Sequence, residues 1–210
     1  MLTKVQQNVT LSILNELMIF NLVIVTPPEF TVNKNATSLV NFFSKFDIYV
    51  SYLTVSQLNS FVYHYNNKGN LFHYQKSVIL LYKKDFEYGM YRGIDNTPSN
   101  ISLFTWLIWP DNNNFTDDDF QNSYIPYNVQ VLIAENDLKG KFKIFEVFYR
   151  SIFSSILTRI DFGTWMDDKG LEVREKDFYR RRSDMNGTFL KIIVAGVSKN
   201  KFSSFSLDIL

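Results

Sequence analysis

Leu22-Val23-Ile24-Val25-Thr26, stopped by Pro27-Pro28, is the stretch on which the fold turns. Its middle is β-branched, it carries no charge and two prolines end it, so it reads as a buried strand. Just before it, Val5, Val9, Ile13, Leu14 and Leu17 lie close to helical spacing, with Gln6, Gln7, Ser12 and Glu16 elsewhere on the wheel. That pattern predicts an amphipathic helix. The alternation then recurs: Ser38 to Phe46 is helix-like, Phe46 to Leu53 strand-like, and Thr54 to Tyr65 helix-like again. Ser77 to Tyr82 and Ile101 to Trp109 are further buried-strand candidates, Asn128 to Ala134 alternates apolar and polar residues, and Thr188 to Val197 closes the series. Strands separated by helical segments predict an α/β fold, a mostly parallel sheet layered with helices. One segment fits two periods. From Tyr149, the residues Ile152, Phe153, Ile156, Leu157 and Ile160 suit a helix, whereas Ile156, Thr158, Ile160 and Phe162 alternate as in a strand.

Composition bounds the classes of function. The 210 residues are 46% hydrophobic and 20% charged, which describes a folded chain of one ordinary domain or two small ones. With 22 Lys plus Arg against 21 Asp plus Glu, the formal charge is +1. That balance argues against a general nucleic-acid binder or a membrane-surface protein held by electrostatics. Twenty Phe and twelve Tyr predict a ring-rich core. The absence of cysteine excludes disulfides, thiolate metal sites and a cysteine nucleophile. The uncharged stretches Leu17 to Pro28 and Asn96 to Pro110 are too short or too interrupted for a span of about 20 apolar residues. Leu11 to Thr26 is broken by Asn15, Glu16 and Asn21, and no clear signal peptide is read there. Asn8, Asn35, Asn100, Asn114 and Asn186 stand in Asn-x-Ser/Thr acceptor patterns, a mild lean towards an ectodomain.

Catalytic chemistry finds little footing. His64 and His73 flank a turn-like Asn66-Asn67-Lys68-Gly69, without the further ligand or the i, i+4 spacing that a two-histidine metal site needs. Asp117 to Asp119 and Asp167-Asp168 offer paired carboxylates, but both groups sit in polar, loop-like sequence where a solvated face is expected. Neither Gly-x-Gly-x-x-Gly, nor a phosphate-binding Gly-x-x-x-x-Gly-Lys, nor a Gly-x-Ser-x-Gly elbow occurs. The expectation is therefore a chain that is not an enzyme and holds no metal or cofactor. The densest charge is Arg180-Arg181-Arg182, with Arg174 and Lys176 nearby. It reads either as a grip for a polyanion or, given Glu172, Glu175 and Asp177 between, as a solvated linker with local ion pairs.

The carboxyl third carries an ordered set of motifs: Gly163-Thr164-Trp165, then Gly170-Leu171, then Arg180-Arg181-Arg182, then Asp184, Gly187, Leu190 and Lys191 entering an apolar strand. This set resembles the junction between the amino-terminal domain and the ligand-binding domain of insect variant ionotropic glutamate receptors, the chemosensory ionotropic receptors. It is most similar to the odorant-sensing group numbered seventy-five. Met185 stands where that group more often has Leu. Phe72-His73-Tyr74 before the Val78 to Tyr82 run, and Phe145-Glu146-Val147-Phe148-Tyr149, resemble the family's upstream segments more loosely. The resemblance implies a divergent periplasmic-binding-protein-like amino-terminal domain over 1–166, a charged linker over 167–187, and over 188–210 the first strand of a truncated ligand-binding domain. It implies the extracellular part of a ligand-gated cation channel subunit acting in olfaction through assembly and coupling, with other receptor or co-receptor subunits as partners and no nucleic acid. The pore and the membrane spans of such a subunit would lie outside these residues. Trp165 is expected as a buried anchor in a tight, glycine-flanked turn. The alternative is a soluble α/β small-ligand-binding or interaction domain without a channel.

Overall fold

The computed structural model describes residues 2–28, 34–67, 76–82, 102–110, 115–120, 125–137, 140–150, 156–175 and 177–183. The chain divides into two compact units, Met1–Lys176 and Asp177–Leu210. The first unit contains, in order, α1 (Lys4–Leu17), β1 (Asn21–Thr26), α2 (Lys34–Ser44), β2 (Tyr49–Thr54), α3 (Val55–Asn67), β3 (Ser77–Tyr82), β4 (Thr105–Trp109), a 3-10 turn (Asp117–Phe120), β5 (Gln130–Asn136), β6 (Phe142–Tyr149), β7 (Leu157–Met166) and β8 (Gly170–Val173). The strands form one sheet in the order β2-β1-β3-β4-β5-β6-β7-β8. The first five run parallel, and β6, β7 and β8 extend the sheet as an antiparallel meander. The α/β fold and its mostly parallel sheet are as the sequence predicts; the meander is an addition to it.

The topology follows from the handedness of crossovers. β1 leads through α2 to β2 on one side of it, and β2 leads through α3 back past β1 to β3 on its other side. Crossovers of the same right hand that travel in opposite directions must use opposite faces. The packing agrees. Leu22, Ile24, Val78, Leu80, Leu107 and Trp109 point towards α1 and α2, whereas Val23, Val25, Ile79, Leu81, Trp106 and Ile108 point towards α3. Each of these strand residues is 5% exposed or less. That two-sided burial explains why β1 reads as a continuous apolar run instead of an alternating one.

Local signals set the helix ends. Thr3 and Gln6 form a reciprocal capping box at the start of α1: the Gln6 N–H donates to Thr3 Oγ1 and the Thr3 N–H to Gln6 Oε1. Thr54 and Gln57 repeat the device at the start of α3. At the other end, α1 stops on Met18 with φ 52° and α2 is followed by Asp47 with φ 58°. In both cases the next residue is a buried isoleucine, Ile19 or Ile48, whose N–H returns to a carbonyl five residues back, that of Leu14 or Phe43. These are Schellman-type closures made without glycine.

Two expectations are corrected here. The segment 167–187 does not begin as a linker: Asp167, Asp168 and Lys169 form a three-residue turn, and Gly170–Val173 is the eighth strand, paired to β7. Trp165 lies within β7 and not in a turn. The stretch that fits two periods is extended from Leu157 onwards. The region expected as a first ligand-domain strand, 188–210, lies outside the described residues; of the turn-like Asn66-Asn67-Lys68-Gly69, Asn66 and Asn67 end α3 and Lys68 and Gly69 lie outside the described residues.

Candidate functional site

The residues singled out by motif gather on the β7–β8 hairpin. Gly163, Trp165, Gly170 and Leu171 all lie there, with Trp165 opposite Leu171 and Gly163 opposite Val173. Gly170 has φ +75°, the left-handed position that follows a three-residue hairpin turn, and side chains other than glycine adopt it at a cost. Gly163 meets a different constraint. A Cβ there would stand 2.5 Å from the carbonyl oxygen of Glu172, so β8 packs against a backbone stripped of its side chain.

A β-bulge aims Trp165. The register between β6 and β7 slips between Ile144 and Phe145, which face Gly163 and Asp161, leaving Phe162 as the extra residue. Odd-numbered residues therefore change face across it: Leu157 packs in the α3-side core, Trp165 in the core beneath α1 and α2. The indole is 3% exposed. Its Nε1 donates to Ser12 Oγ of α1 at 3.1 Å. Phe142 meets it edge-on at 6.0 Å and meets Trp109 in the same manner at 5.6 Å. Trp165 thus ties the antiparallel extension to the first helix and, through two ring contacts, to the parallel sheet.

The arginine triplet belongs to the second unit. Phe178–Arg181 forms a short helix, α4, whose Asp177 Oδ1 accepts the Arg180 N–H at 2.8 Å. The guanidinium of Arg182 stands 4.1 Å from the centre of the Phe178 ring and that of Arg181 5.9 Å from it. Two of the three cations are therefore placed over an aromatic face. Asp184, Gly187, Leu190 and Lys191 lie outside the described residues.

The other sequence candidates separate. Asp167 and Asp168 are exposed in the hairpin turn. Asp119 Oδ2 accepts from the Thr116 N–H at 2.7 Å and closes the 3-10 turn, which buries Phe115 and Phe120. His64 falls on α3 and His73 outside the described residues; among those residues no group of three His, Cys, Asp or Glu is placed to hold a metal. Asn35 and Thr37 of one glycosylation pattern are exposed at the start of α2, whereas Thr10 of the Asn8 pattern is fully buried. Asn100, Asn114 and Asn186 lie outside the described residues. No helix among the described residues is long and apolar enough to cross a membrane.

Two features escape a sequence reading. At the end of β5, Glu135 is 9% exposed and its Oε1 accepts both the Phe115 N–H at 3.1 Å and Arg159 at 2.8 Å. The Arg159 guanidinium in turn lies 4.6 Å from the Phe145 ring centre. Three strands and the 115–120 segment meet in this one charged pair. The second is an open groove of about 1030 Å³ between α1 and α2. Apart from Phe42 its lining residues are polar, and those of α1 lie 27 or more positions from those of the α2 side, too far for any local spacing to join them.

No protein-family model matches this chain, and no curated protein matches it either.

Proposed function

We propose that this chain is the extracellular amino-terminal part of a chemosensory ligand-gated cation channel subunit of the ionotropic receptor class. Its work is assembly and coupling through packed surfaces, with other receptor or co-receptor subunits as partners, and not catalysis. The observation that carries the reading is the placement of its motif. Gly163, Trp165, Gly170 and Leu171 build one hairpin, and a few residues later the chain passes from its first compact unit to its second, at Lys176/Asp177. A junction motif belongs at such a boundary. The open α/β sheet suits the lobe of a periplasmic-binding-protein-like domain. An exposed acceptor at Asn35 suits a glycosylated ectodomain.

The test is to read the transcript in both directions from this reading frame. Continuation past Leu210 into a ligand-binding lobe and three apolar spans supports the channel subunit. A stop codon directly after Leu210 sinks it. The second reading, a soluble α/β domain that takes a small ligand, is favoured by the groove between α1 and α2, whose volume is of ligand size.

A further inference from the structure

Helices α1 and α2 lie on the same face of the sheet, and the valley between their outer surfaces is the groove of about 1030 Å³. Lys4 and Gln7 contribute from the first turn of α1; Lys34, Ser38, Asn41 and Lys45 contribute from the α2 side. The latter four follow one another at i, i+4, i+7 and i+11, the spacing of one helical face. This face is not part of the core, which takes Ala36, Leu39 and Phe43 from the opposite side of α2. Phe42 supplies an apolar patch within the groove.

The groove's charge is one-sided. Over the whole chain cations exceed anions by one. Three lysines line the groove, with no Asp or Glu among its described lining residues. The sequences of α1 and α2 hold a single carboxylate, Glu16, and it does not line the groove. Like charges held on a shared concave wall repel one another, and the field they sum is relieved by an anion. Ammonium groups are compact, hydrated point charges that suit phosphate or sulfate oxygens without demanding the planar fork of arginine. Gln7, Ser38 and Asn41 add uncharged donors between them. The volume far exceeds one inorganic anion and matches a ligand of several rings or sugar units.

We infer that the α1–α2 groove binds a small polar molecule bearing two or more phosphate or sulfate groups, with Lys4, Lys34 and Lys45 as its charge partners. This site does not depend on the channel reading and stands or falls separately from it. Phosphorylated and sulfated ligands share this chemistry, so the experiment uses one probe of each. Tripolyphosphate and a sulfated tetrasaccharide are titrated calorimetrically into the full chain at about 50 mM and about 300 mM salt, bracketing the range over which surface charge is screened. Variants Lys4→Gln, Lys34→Gln and Lys45→Gln are measured singly and combined, beside Lys143→Gln at an exposed position of β6 that does not line the groove.

The expected result is one-to-one binding of at least one probe, weakened by salt. Each single substitution should weaken it about threefold and the combination tenfold or more, by roughly the loss expected for removing one phosphate contact at a time. Lys143→Gln should leave it unchanged, and the tighter probe identifies the phosphate or the sulfate class. Absence of binding by both probes at low salt overturns the site, as does a combined variant that binds like the parent. Equal weakening by Lys143→Gln also overturns it, because the attraction would then be general. A combined variant that fails to fold leaves the single variants to decide.

Discussion

At the scale of single residues, the two glycines of the β7–β8 hairpin are required for different reasons, and substitution separates them. Gly163→Ala forces a methyl group to within 2.5 Å of the Glu172 carbonyl oxygen, and that neighbour is backbone, which cannot swing aside. β8 must shift or unpair, an overpacking cost of about 3 kcal/mol. Gly170, at the turn between β7 and β8, has φ +75° and open space around its Cβ position. There alanine meets only the left-handed backbone penalty, about 1 kcal/mol. Urea unfolding of both variants should therefore give a clearly larger loss for Gly163→Ala. Equal losses would mean that the close approach of β8 is not what selects glycine. The glycine itself was legible as part of a motif, but its reason was not. The atom it avoids belongs to Glu172, in a segment whose mixed charges read as a linker, and no local pattern announces a four-residue strand.

At the scale of elements, legibility follows the period of burial. β1, β3 and β4 are covered on both faces, so each is a short unbroken apolar run that propensity alone recovers. β6 and β7 are harder because Glu146 is fully buried in one and a bulge reverses the facing of residues in the other. A single period cannot describe a strand whose residues change face at Phe162. The bulge has a purpose that can be tested through the side chain it aims. Trp165→Ala empties a buried site between α1 and β6 and removes the bond to Ser12, with an expected loss of about 3–5 kcal/mol. Trp165→Phe keeps a ring against Phe142 and forfeits the hydrogen bond, so its loss should be about 1–2 kcal/mol. Thermal or urea midpoints that rank the two in the reverse order would refute the anchoring of β7 onto α1.

The edge strand β2 is held to its helix in another way. The Tyr52 hydroxyl donates to the Ala36 carbonyl of α2 at 3.1 Å, and burial raises its pKa above the ordinary tyrosine value. A phenol whose folded pKa is raised stabilises the fold fully below the unfolded pKa, near 10. That contribution falls as pH climbs through the unfolded and then the folded value, because the unfolded chain releases its proton first. Tyr52→Phe is therefore expected to cost about 1 kcal/mol at neutral pH and to flatten the decline of stability above pH 10. Unfolding free energies measured between pH 7 and 11 check both halves. An unchanged alkaline slope in the phenylalanine variant would mean that this hydroxyl is not the group responsible.

For the whole molecule, the decisive feature is that the described strands of the first unit form one sheet, whose last strand ends before that unit does. Among the described residues, the seven strand pairings fall between Asn21 and Val173, and α1, α2 and α3 end by Asn67. The two cores, one under α1 and α2 and the other under α3, share the strands between them and draw on no described residue beyond Val173. A chain ending at Lys176 therefore retains every described contact that orders its strands, with Trp106, Trp109 and Trp165 fixed in asymmetric surroundings. Such a chain should unfold in urea in one cooperative step and keep the near-ultraviolet dichroism of its tryptophans. Ending instead at Met166 removes β8, bares the Gly163 edge of β7 and takes away the Leu171 and Val173 side chains that pack beside Trp165. That shorter chain should lose stability or bind a hydrophobic dye, since an unpaired edge and a thinned core accompany each other there. If the chain ending at Lys176 lacks fixed tryptophan signals, residues after 176 are needed to order the sheet, and the boundary between the two units is not a boundary of folding.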